Sequence, residues 1–240
     1  DVCSSDLVGV AVVDILTGLY ATNAILAALL HRTKSHRGQH IDVALFDVQV
    51  AALVNQAGSY LLTGSIPKRM GSAHPSLVPY QPFACADGYV MLAIGNDAQF
   101  AGLCRAAGEP DIASDPRFAT NADRVHHRAE FLTIFNPLMK QHRVDRWCEL
   151  GEQEGFPCGP INTIDRVFRD PQVRAREMQI QMHSPSYGVL DLVASPLRLS
   201  SSPVTYRRAP PALGQDTKDV LRELNYSDQE IISLRKSGVI

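Results

Sequence analysis

"GVAVVDILTGLYATNAILAALL", residues 9–30, carries one formal charge in its whole length, at Asp14. Leu16, Leu19, Tyr20, Ile25, Leu26, Leu29 and Leu30 recur at helical spacing, dense enough for a helix buried nearly all round. Asp is a favoured N-cap, so this helix is expected to begin just after Asp14. It is expected to close in "HRTKSHRG", residues 31–38, where cationic side chains meet the negative end of the helix dipole and Gly38 can take a left-handed cap. "QHIDVAL", residues 39–45, alternates as a strand does, and "FDVQVAALVNQAGSYLL", residues 46–62, returns to a helical pattern. Helix, strand and helix in succession read as a piece of an α/β domain.

Beyond residue 62 the composition changes. Gly, Ser, Pro and basic residues dominate residues 63–82, ending in "GSAHPSLVPYQPF" (71–83), which reads as linker and loop. "FACADGYVMLAIG" (83–95) holds two short strand patterns around the turn Asp87-Gly88. Asn96 is placed to cap a helix starting near Ala98. "TNADRVHHRAEFLTIFNPLMKQH" (120–142) reads as one helix and "VDRWCELGEQEG" (144–155) as another, opened by Asp145 and closed by Gly155. "FPCGPIN" (156–162) is a punctuated loop, and "TIDRVFRD" (163–170) a short helix stopped before Pro171. "MQIQMHSPSYGVLDLVASPLRLS" (178–200) alternates as a hairpin, "PVTYRRAPPALGQ" (203–215) is extended linker, and "DTKDVLRELN" and "SDQEIISLRKSG" are amphipathic helices. The expected organisation is an α/β segment at 8–62, linker and loop at 63–82, a small α+β domain at 83–165, and a tail at 166–240 that returns to the first piece.

The opening residues 1–7, "DVCSSDL", fit none of these patterns. They back-translate to the end of a common sequencing-library adapter, so they are set aside as a read-through scar, and the chain is expected to be the C-terminal part of a longer one. The 45% hydrophobic and 20% charged content is that of an ordinary globular protein. The formal net charge is −2; without Asp1 and Asp6 the acids number 23 against 23 Lys and Arg. A neutral chain offers no global attraction to nucleic acid or to an anionic membrane. Asp14 and Asn23 interrupt the best candidate for a membrane span. Cys85, Cys104, Cys148 and Cys158 have wide, irregular spacings that indicate neither a zinc site nor a redox pair, and read as reduced thiols of a cytosol-like compartment.

Few residues carry chemistry on motif grounds. Asp14 is either a helix cap or a carboxylate nucleophile held ionised by the helix dipole, and motif chemistry by itself favours the cap. His74, in the loop "GSAHPS" (71–76), has the chemistry of a general base but sits where inert histidines are common. His31, Arg32, Lys34, His36 and Arg37 suit a phosphate, although capping of the helix C-terminus explains them more simply. No phosphate-binding or dinucleotide glycine fingerprint is present. His126, His127 and Arg128 read as solvated surface, opposite an apolar helix face.

Several stretches together resemble the C-terminal portion of the family III CoA-transferases, which include formyl-CoA and carnitine CoA-transferases. They are "VVDILTGLYATNAILAALLHRTKSHRGQHIDVALFD" (12–47), "GSAHPSLVPYQPFACADGYVMLAIGNDAQF" (71–100), "GFPCGPINTIDRVFRDPQV" (155–173) and "RAPPALGQDTKDVLRELNYSDQEIISLRKSGVI" (208–240). Within that family the chain is most similar to the branch that uses succinyl-CoA and dicarboxylic acids such as glutarate.

The resemblance implies several things that spacing does not show. It places Asp14 of "D-x-x-T-G" (Asp14, Thr17, Gly18) on the family's catalytic aspartate, reversing the motif reading. The carboxylate attacks an acyl-CoA thioester to give a mixed anhydride; CoA thiolate then forms an aspartyl-CoA thioester, which the incoming acid reopens. Gly71, Ser72 and Ala73 align with a small loop that covers the active site, and His74 comes with that loop without a catalytic role. The implied fold is a Rossmann-like large domain, here a remnant, with a small domain and a returning C-terminal segment, in an interlocked homodimer. Most of the CoA-binding surface is then missing, its residues are unknown, and the activity belongs to the parent protein. Coenzyme A thioester is a substrate, with no bound cofactor and no metal. Partners are acyl-CoA and a carboxylate, with neither nucleic acid nor membrane. The expected location is cytoplasmic, or mitochondrial in a eukaryote. Two alternatives stay open: α-methylacyl-CoA racemisation, with the aspartate as acid/base at the α-carbon, and a non-catalytic remnant used only for assembly.

Overall fold

A computed structural model describes residues 9–240; the segment 1–7 set aside above lies outside the described residues. The chain divides into two compact units, one ending at Gly71 and the other running from Ser72 to Ile240. Each is built on a different balance of burial.

The first unit is helical. Helix α1 spans Val12–Ser35, α2 Leu45–Ala51 and α3 Val54–Thr63. The helix begins earlier than Asp14, because the backbone ladder already includes the bond from the Ile15 N–H to the Ala11 carbonyl at 3.2 Å. Ala11 therefore holds the N-cap position, without a side-chain cap, and Asp14 lies in the first turn. At the far end His36, not Gly38, takes the left-handed cap (φ 56°) and donates its N–H to the Arg32 carbonyl at 2.8 Å.

The expected burial of α1 is not observed. None of its residues is buried; Leu26 is 59% exposed and Leu30 64%. Its apolar spacing is real, but among residues 9–71 α2 packs beside it without burying any of its residues. With a mean hydropathy of 1.6, α1 is long and apolar enough to cross a membrane, a measure that core helices of soluble proteins also meet. Asp14 and Asn23 do not interrupt it, since Asp14 sits at the end of the helix and Asn23 returns its side-chain N–H to the Leu19 carbonyl at 3.0 Å. Residues 39–44 form no strand: a strand needs a neighbour to take its backbone groups, and none is present among the described residues. The predicted helix 46–62 is two helices, broken where Val54 adopts φ 42°, a conformation that strains a β-branched residue.

The second unit holds the core. Strands β1 (Tyr80–Ala84), β2 (Tyr89–Ala93) and β3 (Cys158–Pro160) form an antiparallel sheet in that order, with Phe83 opposite Val90 and Leu92 opposite Cys158. Alternation along β2 turns Val90 and Leu92 to the same buried face. That face is covered by α4 (Asp97–Ala106), α6 (Arg128–Met139) and α7 (Val144–Glu154), with the short helix α5 (Asn121–His126) leading into α6. The single helix expected over 120–142 is thus divided at His127. Asn96 caps α4 as expected, accepting from the Gln99 N–H at 2.9 Å. Asp145 does not cap α7; Asp87, from the β1–β2 turn, accepts from the Val144 N–H at 2.8 Å.

Four phenylalanines interlock at the centre. Phe131 stacks on Phe135 at 4.9 Å and meets Phe100 and Phe118 each at 5.7 Å. Trp147 is fully buried and donates its indole N–H to the Met139 carbonyl at 2.8 Å. Helices α8 (Ile164–Arg169) and α9 (Pro171–Ala175) follow, with Asp170 capping the second. The hairpin β4 (Gln179–Ser184) and β5 (Gly188–Val193) comes next, and α10 (Thr217–Glu223) and α11 (Asp228–Lys236) close the chain. Ser227 and Glu230 form a reciprocal capping box on α11.

Helices α4 and α7 approach at Gly102, where a β-carbon would collide with the Glu154 carbonyl oxygen. Backbone cannot yield as a side chain does, so Gly102→Ala is expected to destabilise this unit by about 2 kcal/mol. Trp147 is the chain's one tryptophan. A urea titration followed by its fluorescence should show the midpoint falling with the slope unchanged.

Candidate active site

Asp14 stands in the first turn of α1, exposed to solvent, where unpaired backbone N–H groups and the helix dipole favour negative charge. Thr17, one turn on, spends its hydroxyl on its own helix, donating to the Val13 carbonyl at 2.7 Å. Gly18 lies four residues from Asp14 and so shares its face. A helical side chain leans toward the N-terminus, so any larger residue at 18 would lie over the turn that carries Asp14. The space where its β-carbon would sit is open. The result is a carboxylate with a clear approach on one side, as a bulky electrophile requires.

Gly71 ends the first unit, and Ser72 and Ala73 begin the second. Gly71 has φ 61°, which a glycine adopts without strain. Gly71 and Ser72 form a turn, and no side chain among the described residues bonds to the backbone of Gly71, Ser72 or Ala73. From His74 onward the loop is held firmly. The His74 N–H donates to the Tyr80 carbonyl at 2.9 Å, and its ring stacks on Tyr80 at 5.2 Å. His74 Nδ1 accepts from the Ser76 N–H at 3.2 Å, which leaves the ring proton on Nε2. With one ring nitrogen committed to the loop, His74 is a loop-building residue.

Three side chains from α5 and the start of α6 grip this segment. Asn121 donates to the Ser76 carbonyl at 2.8 Å and accepts from the Val78 N–H at 3.1 Å. Arg124 is 1% exposed. It donates Nε to the Val78 carbonyl at 2.7 Å, Nη1 to the Phe118 carbonyl at 2.8 Å, and Nη2 to Asp97 at 2.8 Å, and it lies 4.1 Å over the Phe100 ring. Arg128 donates Nη2 to the carbonyls of His74 at 2.8 Å and Pro75 at 3.0 Å. Its placement corrects the reading of residues 126–128 as solvated surface. The available signal was the spacing 121, 124 and 128, which puts all three on one helical face.

The thiols are poor nucleophiles. Burial pushes Cys85 up to about 11 and Cys104 up to about 12, and raises Cys148 and Cys158 as well. No cluster of three metal-ligating side chains occurs among the described residues.

A long helix with an acidic first turn and an α+β unit whose loop is clasped by arginines make this a mixed α/β protein. The chain belongs to CoA-transferase family III, whose sequence profile matches residues 5–217. It is similar to the succinate–glutarate CoA-transferase of Agrobacterium fabrum, at 44% identity over 90% of this chain and 54% of that protein. It is also similar to the succinyl-CoA:glutarate CoA-transferase of Homo sapiens, at 38% identity over 97% of this chain and 53% of that protein. Among solved structures, a CaiB/BaiF family protein from Brucella suis superposes with a TM-score of 0.75 at 41% identity, covering 91% of this chain and 57% of that one. The chain spans about half the length of the curated relatives it matches.

Two measurements probe this geometry. Arg124→Met strands the Val78 and Phe118 carbonyls and the Asp97 carboxylate together, so a loss of about 3 kcal/mol is expected in urea unfolding. The thiols set an alkaline limit. A group whose folded pKa is raised contributes stability below its unfolded value of 9.0 that is lost as pH rises toward 11 to 12. The urea midpoint should therefore fall between pH 9 and 11, and a Cys104→Ala variant should flatten that fall.

Proposed function

We propose that the whole protein moves coenzyme A from an acyl-CoA thioester to a carboxylic acid, with Asp14 as the covalent nucleophile. The observation that carries this reading is the "D-x-x-T-G" turn of α1 within a chain of CoA-transferase family III: an exposed carboxylate with open space beside it at Gly18. The chemistry follows from that placement. The Asp14 carboxylate attacks the thioester carbonyl, the C–S bond breaks, and CoA leaves as thiolate. The thiolate attacks the aspartyl carbonyl of the mixed anhydride, releasing the donor acid and leaving Asp14 as a CoA thioester. The acceptor carboxylate attacks that thioester, the C–S bond breaks and CoA leaves as thiolate, giving a second mixed anhydride; the thiolate then attacks the acceptor's carbonyl, forming its CoA thioester and releasing Asp14 as carboxylate. Each step exchanges one activated acyl group for another, so the thioester's free energy is kept provided that water is excluded.

The similarity to two proteins named for succinate or succinyl-CoA and glutarate supports succinyl-CoA as donor and a dicarboxylic acid as acceptor. The loop Gly71–Ala73 serves as the cover that excludes water. The bare apolar flank of α1 suits burial under further protein surface in a homodimer of the full-length kind, and this chain by itself is inactive.

Incubating the whole protein with succinyl-CoA and digesting it should give a CoA adduct on the peptide holding Asp14, and hydroxylamine should remove it. In Asp14→Asn the adduct should vanish and transfer should drop by about a thousandfold or more. Normal transfer by Asp14→Asn would overturn the assignment. The 240-residue chain, assayed alongside, should show no transfer.

A further inference from the structure

Strand β4 and the extended segment that follows the hairpin enclose a cleft of about 800 Å³, within the range of small-molecule sites. Ile180 and Met182 of β4, with Pro185 and Pro211, give it apolar walls. Tyr206, Arg207, Arg208 and Gln215 give it a polar side whose donors are in excess. Arg207 has neither a hydrogen-bond acceptor nor an ion-pair partner among the described residues. The Arg208 side chain is 85% exposed and stands 3.8 Å from Asp216, beyond hydrogen-bond range. Gln215 accepts at Oε1 from the Ala212 N–H at 3.1 Å and from the Ser186 hydroxyl at 3.4 Å, which orients its amide and leaves the Nε2 donors unused. The Tyr206 oxygen accepts from the Ser195 N–H at 2.7 Å; its ring is thereby fixed, and its O–H remains to donate. Asp216 is the one acid among the lining residues.

We propose that this cleft binds a phosphate monoester with a flat apolar body, of the size of a nucleoside monophosphate. A phosphate monoester brings three terminal oxygens and close to two negative charges at neutral pH. That matches two guanidinium groups, an amide and a phenol, whereas a carboxylate has two oxygens and would leave donors idle. The volume decides the rest of the ligand: inorganic phosphate would leave most of the cleft to water. A ring system fills it, with the fixed Tyr206 ring and the half-buried Ile180 and Met182 as its apolar contacts. The whole site lies between residues 180 and 216, inside the second unit.

Equilibrium dialysis of the 240-residue chain against radiolabelled AMP tests this, and one saturable site is expected. Adenosine, which lacks the phosphate, and inorganic phosphate, which lacks the body, should each compete at least about tenfold more weakly. Arg207→Gln and Arg208→Gln should each weaken AMP binding by about tenfold, because each removes charge-assisted hydrogen bonds. Both side chains are exposed, so Trp147 fluorescence should report an unchanged fold in either variant. Arg235→Gln, at an exposed arginine of α11 outside the cleft, should leave AMP affinity as it was. No saturable binding up to about 5 mM AMP, or an equal loss in Arg235→Gln, would overturn the proposal. Phosphate that competes as well as AMP would overturn the assigned ligand class, since the apolar walls would then recognise nothing. The measurement involves no CoA transfer, so its outcome is independent of the role of Asp14.

Discussion

The buried guanidinium of Arg124 is the constraint on which the second unit turns. It joins the carbonyl ahead of β1, the carbonyl at Phe118 and the carboxylate at the start of α4 around one planar cation, with the Phe100 ring beneath it. A charge 99% removed from water is tolerable only if its donors are used, and Nε, Nη1 and Nη2 each have an acceptor here. The aromatic cluster of Phe100, Phe118, Phe131 and Phe135 then closes against a frame whose entry segment is already fixed. Loop rigidity from His74 onward follows from that frame, since Asn121 and Arg124 on α5 and Arg128 at the start of α6 all bond to its backbone.

The first unit works by the opposite arrangement. Its long helix carries more apolar surface than residues 9–71 bury, with Val48 the one buried hydrophobic residue among them. Exposed apolar area of this extent is uncommon on a monomeric soluble protein. Asp14 at the head of this helix is exposed in its first turn, with open space beside it at Gly18.

Arg124 and Arg128 divide two tasks that a sequence cannot separate. Both are arginines, four residues apart, one in the last turn of α5 and the other at the start of α6. One is spent on the core and the other on the loop, and only the carbonyls they meet tell them apart. The same holds for the histidines: His74 is committed to Ser76 and Tyr80, while His127 faces Glu130 across 3.0 Å.

Much of the local structure was legible in the residues. The charge-poor helix with one carboxylate, the Gly-Ser-Ala loop, the Asp87-Gly88 turn, the cap at Asn96 and the resemblance to a CoA-transferase family were all readable, because each rests on local propensity or on a contiguous motif. The missing strand at 39–45, the exposed face of α1, the break at Val54, the capping of α7 by Asp87 and the clasp of Arg128 were not. Each depends on what lies opposite a residue in space. Alternation proposes a strand, but only a partner strand makes one; apolar spacing proposes burial, but only a covering surface completes it. The sequence by itself determined which groups could do chemistry. The tertiary structure decided which of them are spent on the fold and which are left free, because hydrogen-bond satisfaction and desolvation act between residues far apart in the chain.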